Sequence, residues 1–163
     1  MKKSILRAAS ALLVLAMCAM LAACSGKKLG IKQVVGLPLS TAVTQLGTIT
    51  GKTLTYYSQG ELSEKGKTYS PSDGSLIEFL SGEFTAVDIV ETNGAVEFVT
   101  FYALYNSPLE YAGVLSTLKE YYGDDFDKSD NFGMYDEWSW RGTPDGRVQF
   151  FKYDSMFEVR YSA

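Results

Sequence analysis

Read for the alternation of apolar and polar positions, the chain is a series of period-two segments broken by one clear helix. Tyr111, Val114, Leu115, Leu118, Tyr121 and Tyr122 recur at helical spacing and form a single apolar stripe over 108–122. Ser107 suits the N-cap, Pro108 the first turn, and Glu110 completes a capping box. Gly123 fits the residue after the helix. A weaker stripe of Leu39, Val43 and Leu46, closed by Gly47, predicts a second helix over 39–46.

Elsewhere the period is two. Segments 84–91 and 96–105 flank Asn93-Gly94, the strongest short hairpin signal. A two-residue turn sets Ile89 opposite Phe98 and Val87 opposite Thr100, and that face, with Val96 and Tyr102, is the more apolar one. Segments 54–57 and 75–80 predict further strands, a short helix being the alternative for 75–80, with the polar stretch 59–74 as a long loop between them. Segment 134–141 alternates, with Trp138 and Trp140 on one side. Thr143-Pro144-Asp145-Gly146 is a turn, and 148–153 and 157–161 follow as strands. The sum is an α+β domain: an antiparallel sheet of about six to seven strands with two helices on one face. The order helix, three or four strands, helix, three strands fits two α-β-β-β units.

The N-terminus changes the picture. Lys2, Lys3 and Arg7 precede an uncharged run from Ala8 to Ala23 that is short for a membrane span. A basic start, a short apolar core and small residues at its end make a secretory signal peptide. Leu21-Ala22-Ala23-Cys24 resembles the lipobox of bacterial lipoproteins, in which the cysteine is lipidated and becomes the first mature residue. On that resemblance, 1–23 is a leader, 24–33 a lipidated cysteine and tether, and 34–163 a single domain. The protein would be exported and anchored through Cys24 to the outer face of the cell membrane, or to the outer membrane where there are two. Of the two cysteines, Cys18 would leave with the leader, so no internal disulfide could form.

The order of elements, with Gly36-Leu37-Pro38-Leu39-Ser40, Val43 and Leu46-Gly47, resembles small envelope proteins of the β-lactamase-inhibitor-protein-like and SmpA-like kind. The resemblance implies a function in binding other proteins. No contact motif of those families matches here, so it implies no site residues.

Composition narrows the chemistry. The 163 residues contain no histidine, which excludes a Ser-His-Asp triad, a Cys-His pair and His-ligated zinc. The formal charge is −4. Loss of Lys2, Lys3 and Arg7 with the leader leaves twelve basic residues against nineteen acids, hence −7. Such a chain is a poor nucleic-acid binder. All 11 tyrosines, 9 phenylalanines and 2 tryptophans lie in the mature part.

Aromatics that could form a binding surface are Trp138, Trp140, Tyr56, Tyr57 and Phe151. The acidic stretch 124–131 offers Asp125, Asp127 and Asp130 to calcium. As an EF-hand loop beginning at Asp125 it fails twice, with Asp130 where glycine belongs and Asp136 where glutamate belongs. It reads better as a solvated loop. Glu97, Asp88 and Glu78 fall on strands and read as solvent-face carboxylates. No cofactor is expected. The leading expectation is a non-enzymatic module that binds an envelope or secreted protein. A module for cell-wall glycan or a small molecule, and a small hydrolase using two carboxylates, are the alternatives.

Overall fold

The computed structural model describes residues 29–59, 65–104 and 108–163. The leader, Cys24 and Ser107 lie outside the described residues. After a 3-10 turn (Ile31–Gln33) come α1 (Leu39–Thr50), β1 (Leu54–Gln59), β2 (Gly66–Pro71), β3 (Ile77–Phe79), β4 (Gly82–Phe84), β5 (Ala86–Thr92) and β6 (Ala95–Leu104). The second half holds α2 (Pro108–Tyr122), β7 (Asp127–Asp130), β8 (Asp136–Thr143), β9 (Gly146–Lys152) and β10 (Met156–Ser162). Eight strands form one antiparallel sheet in the order β1-β2-β5-β6-β10-β9-β8-β7, and β3–β4 is a separate hairpin.

The α+β class and the antiparallel sheet agree with the sequence. The strand count does not: each half contributes a helix and four strands of the large sheet. The expected strand over 75–80 gives β3 of the separate hairpin instead, and two polar strands that read as loops in the sequence join the large sheet. β2 reads Gly-Lys-Thr-Tyr-Ser-Pro and lies inside the stretch expected to be a loop. β7 reads Asp-Lys-Ser-Asp and lies inside the expected acidic loop. Neither has an apolar alternation to reveal it, and each exists because a neighbouring strand supplies its hydrogen bonds.

One face of the sheet is the core. Val87, Ile89, Val99, Phe101, Val148, Phe150, Phe157, Val159 and Tyr161 are all fully buried there. They share one cluster with Ala42 and Leu46 of α1 and Val114 and Leu118 of α2, so both helices cover the same face. This reverses the expected facing of β6. The partners are Ile89↔Val99 and Val87↔Phe101, because the register shifts after Glu91↔Val96 and leaves Glu97 as an extra residue. A one-residue bulge exchanges the two faces beyond it. Phe98, Thr100 and Tyr102 therefore lie on the side away from the helices.

The β3–β4 hairpin fills the gap between the helices. Phe79 stacks on Phe101 at 4.6 Å, and Phe84 meets Phe101 and Phe157 at 5.7 and 5.5 Å. Gly82 lies under α2, where a Cβ would fall 2.4 Å from a Val114 methyl. α1 continues past Gly47 and ends at Gly51, not at the expected cap. α2 ends as expected. Gly123 is left-handed, at φ 86°, and donates its N–H to the Lys119 carbonyl at 2.7 Å. Its own carbonyl accepts the Trp140 indole N–H at 2.8 Å.

Entry of the chain is fixed at one end of the sheet. The Leu29 N–H donates to Asp145 Oδ2 at 3.1 Å, and the Tyr122 hydroxyl donates to the same oxygen at 2.9 Å. Asp145, in the β8–β9 turn, is 1% exposed. Beyond it, Gly36 and Leu37 bond to Val96 at the start of β6. The β8–β9 turn, the β5–β6 turn and the chain's last strand residues thus share the entry end. Leu104, Met156 and the β7–β8 turn lie at the far end.

Trp140 is a test of the core assignment. Trp140→Ala removes an indole packed against Tyr122 and Phe126 and strands the Gly123 carbonyl. The expected loss is about 3–5 kcal/mol in denaturant unfolding, whereas a surface tryptophan would give a change within about 0.5 kcal/mol.

Candidate functional site

The face away from the helices is polar at its centre. Thr68, Asp88, Thr100, Arg160, Gln149 and Ser139 are successive cross-strand partners over β2, β5, β6, β10, β9 and β8. Arg160 organises this row. Its guanidinium lies 5.0 Å from the rings of both Phe98 and Phe151, its Nε donates to Thr100 Oγ1 at 3.2 Å, and its terminal nitrogen is 3.6 Å from Glu158 Oε2. Two aromatic faces hold the cation by cation–π attraction and restrict its rotamers. The Thr68 hydroxyl donates to Asp88 Oδ1 at 3.2 Å.

These groups are withdrawn from water. Asp88 is 1% and Glu158 5% exposed. Glu158 Oε2 has no hydrogen-bond partner among the described residues. Burial raises the Glu158 pKa above the ordinary glutamate value; Arg160 opposes the rise and Asp88 adds to it. Beside this cluster, Tyr135 packs edge-on against Phe151 at 5.7 Å and against Tyr153 at 5.1 Å. Burial, with Glu158 nearby, pushes the Tyr153 phenol up to about 12.

At the far end the face opens into a pocket of about 440 Å³. Its apolar lining comes from Tyr57, Pro71, Leu76, Ala86, Tyr102, Leu104 and Met156. Tyr57, Leu76 and Leu104 are 68, 43 and 45% exposed, so large apolar surface is left in water around one concavity. The site can grip an apolar group beside a rigid polar platform.

The expected aromatic surface does not assemble. Trp138 and Trp140 are core residues, 7% and 1% exposed, because their side of β8 faces the helices. Phe151 is buried beneath Arg160 and Tyr135. Tyr56 points to the helix side, edge-on to Tyr69 at 6.0 Å. Only Tyr57 reaches the pocket. Asp88, expected on a solvent face, is buried, whereas Glu97 is exposed and accepts from the Thr92 hydroxyl, and Glu78 is exposed on β3.

The calcium reading changes as well. Asp127 and Asp130 belong to a strand, with Asp127 3.5 Å from Arg141 and Asp130 accepting the Gly133 N–H at 2.8 Å. Among the described residues, no three acidic or cysteine side chains gather as metal ligands. Leu76, Leu104, Met156 and Arg160 went unrecognised in the sequence. Period two marks Arg160 as facing away from Val159 and Tyr161, but nothing local shows which rings enclose it.

Glu158 gives a signed pH prediction. Its raised pKa means that the folded state keeps a proton the unfolded chain releases. Stability therefore falls as pH rises from the ordinary glutamate value of 4.5 through the raised one. Glu158→Gln carries no charge at any pH, so it should gain on the native protein in Tm as pH rises from about 5 to about 7. Parallel thermal melts across that interval check this, and a constant difference would refute it.

No protein-family model, no characterised protein and no solved structure matches this chain.

Proposed function

We propose that the protein is a lipid-anchored envelope lipoprotein without catalytic activity, whose role is to bind another protein. The observation that carries this reading is the pocket at the far end of the sheet. Three large apolar side chains stay exposed around it, while the rest of that face is sealed by polar pairing. Isolated exposed apolar residues need no explanation, but a concave group of them points to an occupant. The mature formal charge of −7 favours encounter with a basic partner.

Anchoring through Cys24 is consistent with the geometry of chain entry. Leu29, which is fixed to Asp145, lies five chain steps beyond Cys24. Their full extension is about 18 Å. The entry end would therefore stay close to the lipid, with the pocket at the opposite end of β6. Among the described residues no helix is long and apolar enough to cross a membrane. Cys24→Ser should move the protein from the membrane fraction to the soluble fraction, as fractionation and immunoblotting would show.

The pocket volume also suits a small ligand, which keeps a second reading in play. One pair of measurements separates them. Leu104→Asp places a charge in the pocket at an already exposed position, so Tm should hardly change. Crosslinking in the native membrane should lose its protein adduct, by roughly tenfold or more. If Leu104→Asp leaves crosslinking intact but abolishes binding of a small molecule found by screening, the small-ligand reading replaces the first.

A further inference from the structure

Three hairpin turns in this fold place both central residues at positive φ, and they differ in how the backbone is accommodated. Asn93-Gly94, at φ 54° and 81°, uses the residues such a turn favours. Leu80-Ser81, at 54° and 57°, does not, but Leu80 is 6% exposed and its side chain is held in the core. Phe132-Gly133, at 55° and 75°, keeps the favoured glycine at its second position, but Phe132 itself has neither advantage. Phe132 is 97% exposed and neighbouring Met134 is 65% exposed. A bulky residue in left-handed backbone with its ring in solvent is an outlier that the fold does not explain.

A second local choice in the same hairpin is equally unfavourable. Asp130 and Asp136 are direct cross-strand partners, and like charges opposite one another weaken a hairpin, an effect that Lys152, opposite Asp136 on β9, offsets in part. The base is nonetheless well fixed. Met134 N–H donates to the Asn131 carbonyl at 3.0 Å, Gly133 N–H to Asp130 at 2.8 Å, and Tyr135 packs on Phe151 and Tyr153. A rigid base thus presents an apolar tip inside an acidic collar.

We propose that the β7–β8 hairpin is a docking finger, with Phe132 and Met134 entering an apolar pocket rimmed by lysine or arginine on a partner protein. Both unfavourable choices then have a use, since the ring fills the pocket and the aspartates meet the rim. Charge selects protein over lipid, because an acidic collar is repelled by anionic headgroups. Position agrees: the tip lies at the other end of β8 from Asp145, about 23 Å away at ~3.3 Å per residue. The finger rests on the reading of the chain as a partner-binding lipoprotein, but uses different residues from the pocket.

The test uses the lipidated full chain in its own cells. A photocrosslinking benzoylphenylalanine is placed at position 132, at position 104, and at position 93 as a control in an equivalent turn at the entry end. Irradiation at 132 should give one adduct with another protein, absent at 93, whose yield falls roughly tenfold when Asp130→Lys and Asp136→Lys are combined. In the purified protein, Phe132→Asn should raise Tm by about 3 °C, because the turn regains a suitable residue. A lowered Tm would show that the ring serves the fold and would end the proposal. So would an adduct with a second copy of the chain, an adduct with lipid only, no adduct, or indifference to the charge reversal. Phe132→Trp should show no blue shift with vesicles of phosphatidylethanolamine and phosphatidylglycerol, and a shift would assign the tip to a membrane. An adduct at 104 without one at 132 would overturn the finger and leave the proposed function standing. Loss at both positions would remove both.

Discussion

The pairing of β6 with β10 is the constraint on which this architecture depends. Seven cross-strand partners, from Leu104↔Met156 to Phe98↔Ser162, are the seam between two four-stranded halves. Roughly sixty residues separate the partners in sequence near the middle of the ladder, so loop-closure entropy opposes it before any contact rewards it. The reward is on both faces. Phe101 and Phe157 bring the two halves together in the core, each in contact with Phe84. Thr100 and Arg160 meet on the other face, and Leu104 and Met156, the first pair, build the pocket. Core, platform and pocket are consequences of one register, so a slip there would disassemble all three.

The platform shows how an open sheet face can hold large aromatic rings without becoming adhesive. Phe98 and Phe151 would together be a substantial apolar patch. The Arg160 guanidinium sits between them, which screens the rings and fixes the charge. Glu158 bears the cost. It is buried beside that arginine but reaches it only at 3.6 Å, so burial raises its pKa more than the arginine lowers it. Among the described residues, the large apolar side chains left exposed lie where no such pairing exists: at the pocket rim, at the β7–β8 tip and at Tyr56 on edge strand β1.

Elements with strong local signals were readable from the sequence. α2 follows from its stripe and Gly123, and the Asn93-Gly94 hairpin from its turn. What escaped depended on partners. β2 and β7 have no apolar alternation and form only because β5 and β8 supply their hydrogen bonds. Trp138 and Trp140 alternate correctly, but alternation cannot say which side faces the helices. The extra residue Glu97 was equally invisible, and it alone inverted the faces of β6. The site was less legible than the fold. Its residues come from β1, β6, β10 and the segments beside β3 and β5, and only long-range pairing brings them together.

The two edges of the large sheet are protected in different ways. An edge strand invites pairing with another chain. β7 is protected by shortness and by Asp127, Lys128 and Asp130. β1, reading Leu-Thr-Tyr-Tyr-Ser-Gln, has no charge to protect it. It has a bulge instead: Tyr56 pairs with Tyr69 and Ser58 with Thr68, which leaves Tyr57 as the extra residue. A bulge twists an edge away from flat pairing and re-aims the side chain it carries. Here that side chain is Tyr57, which reaches the pocket rim. The same irregularity that discourages strand addition supplies part of the pocket rim, so a substitution that regularised β1 would alter both the edge and the pocket.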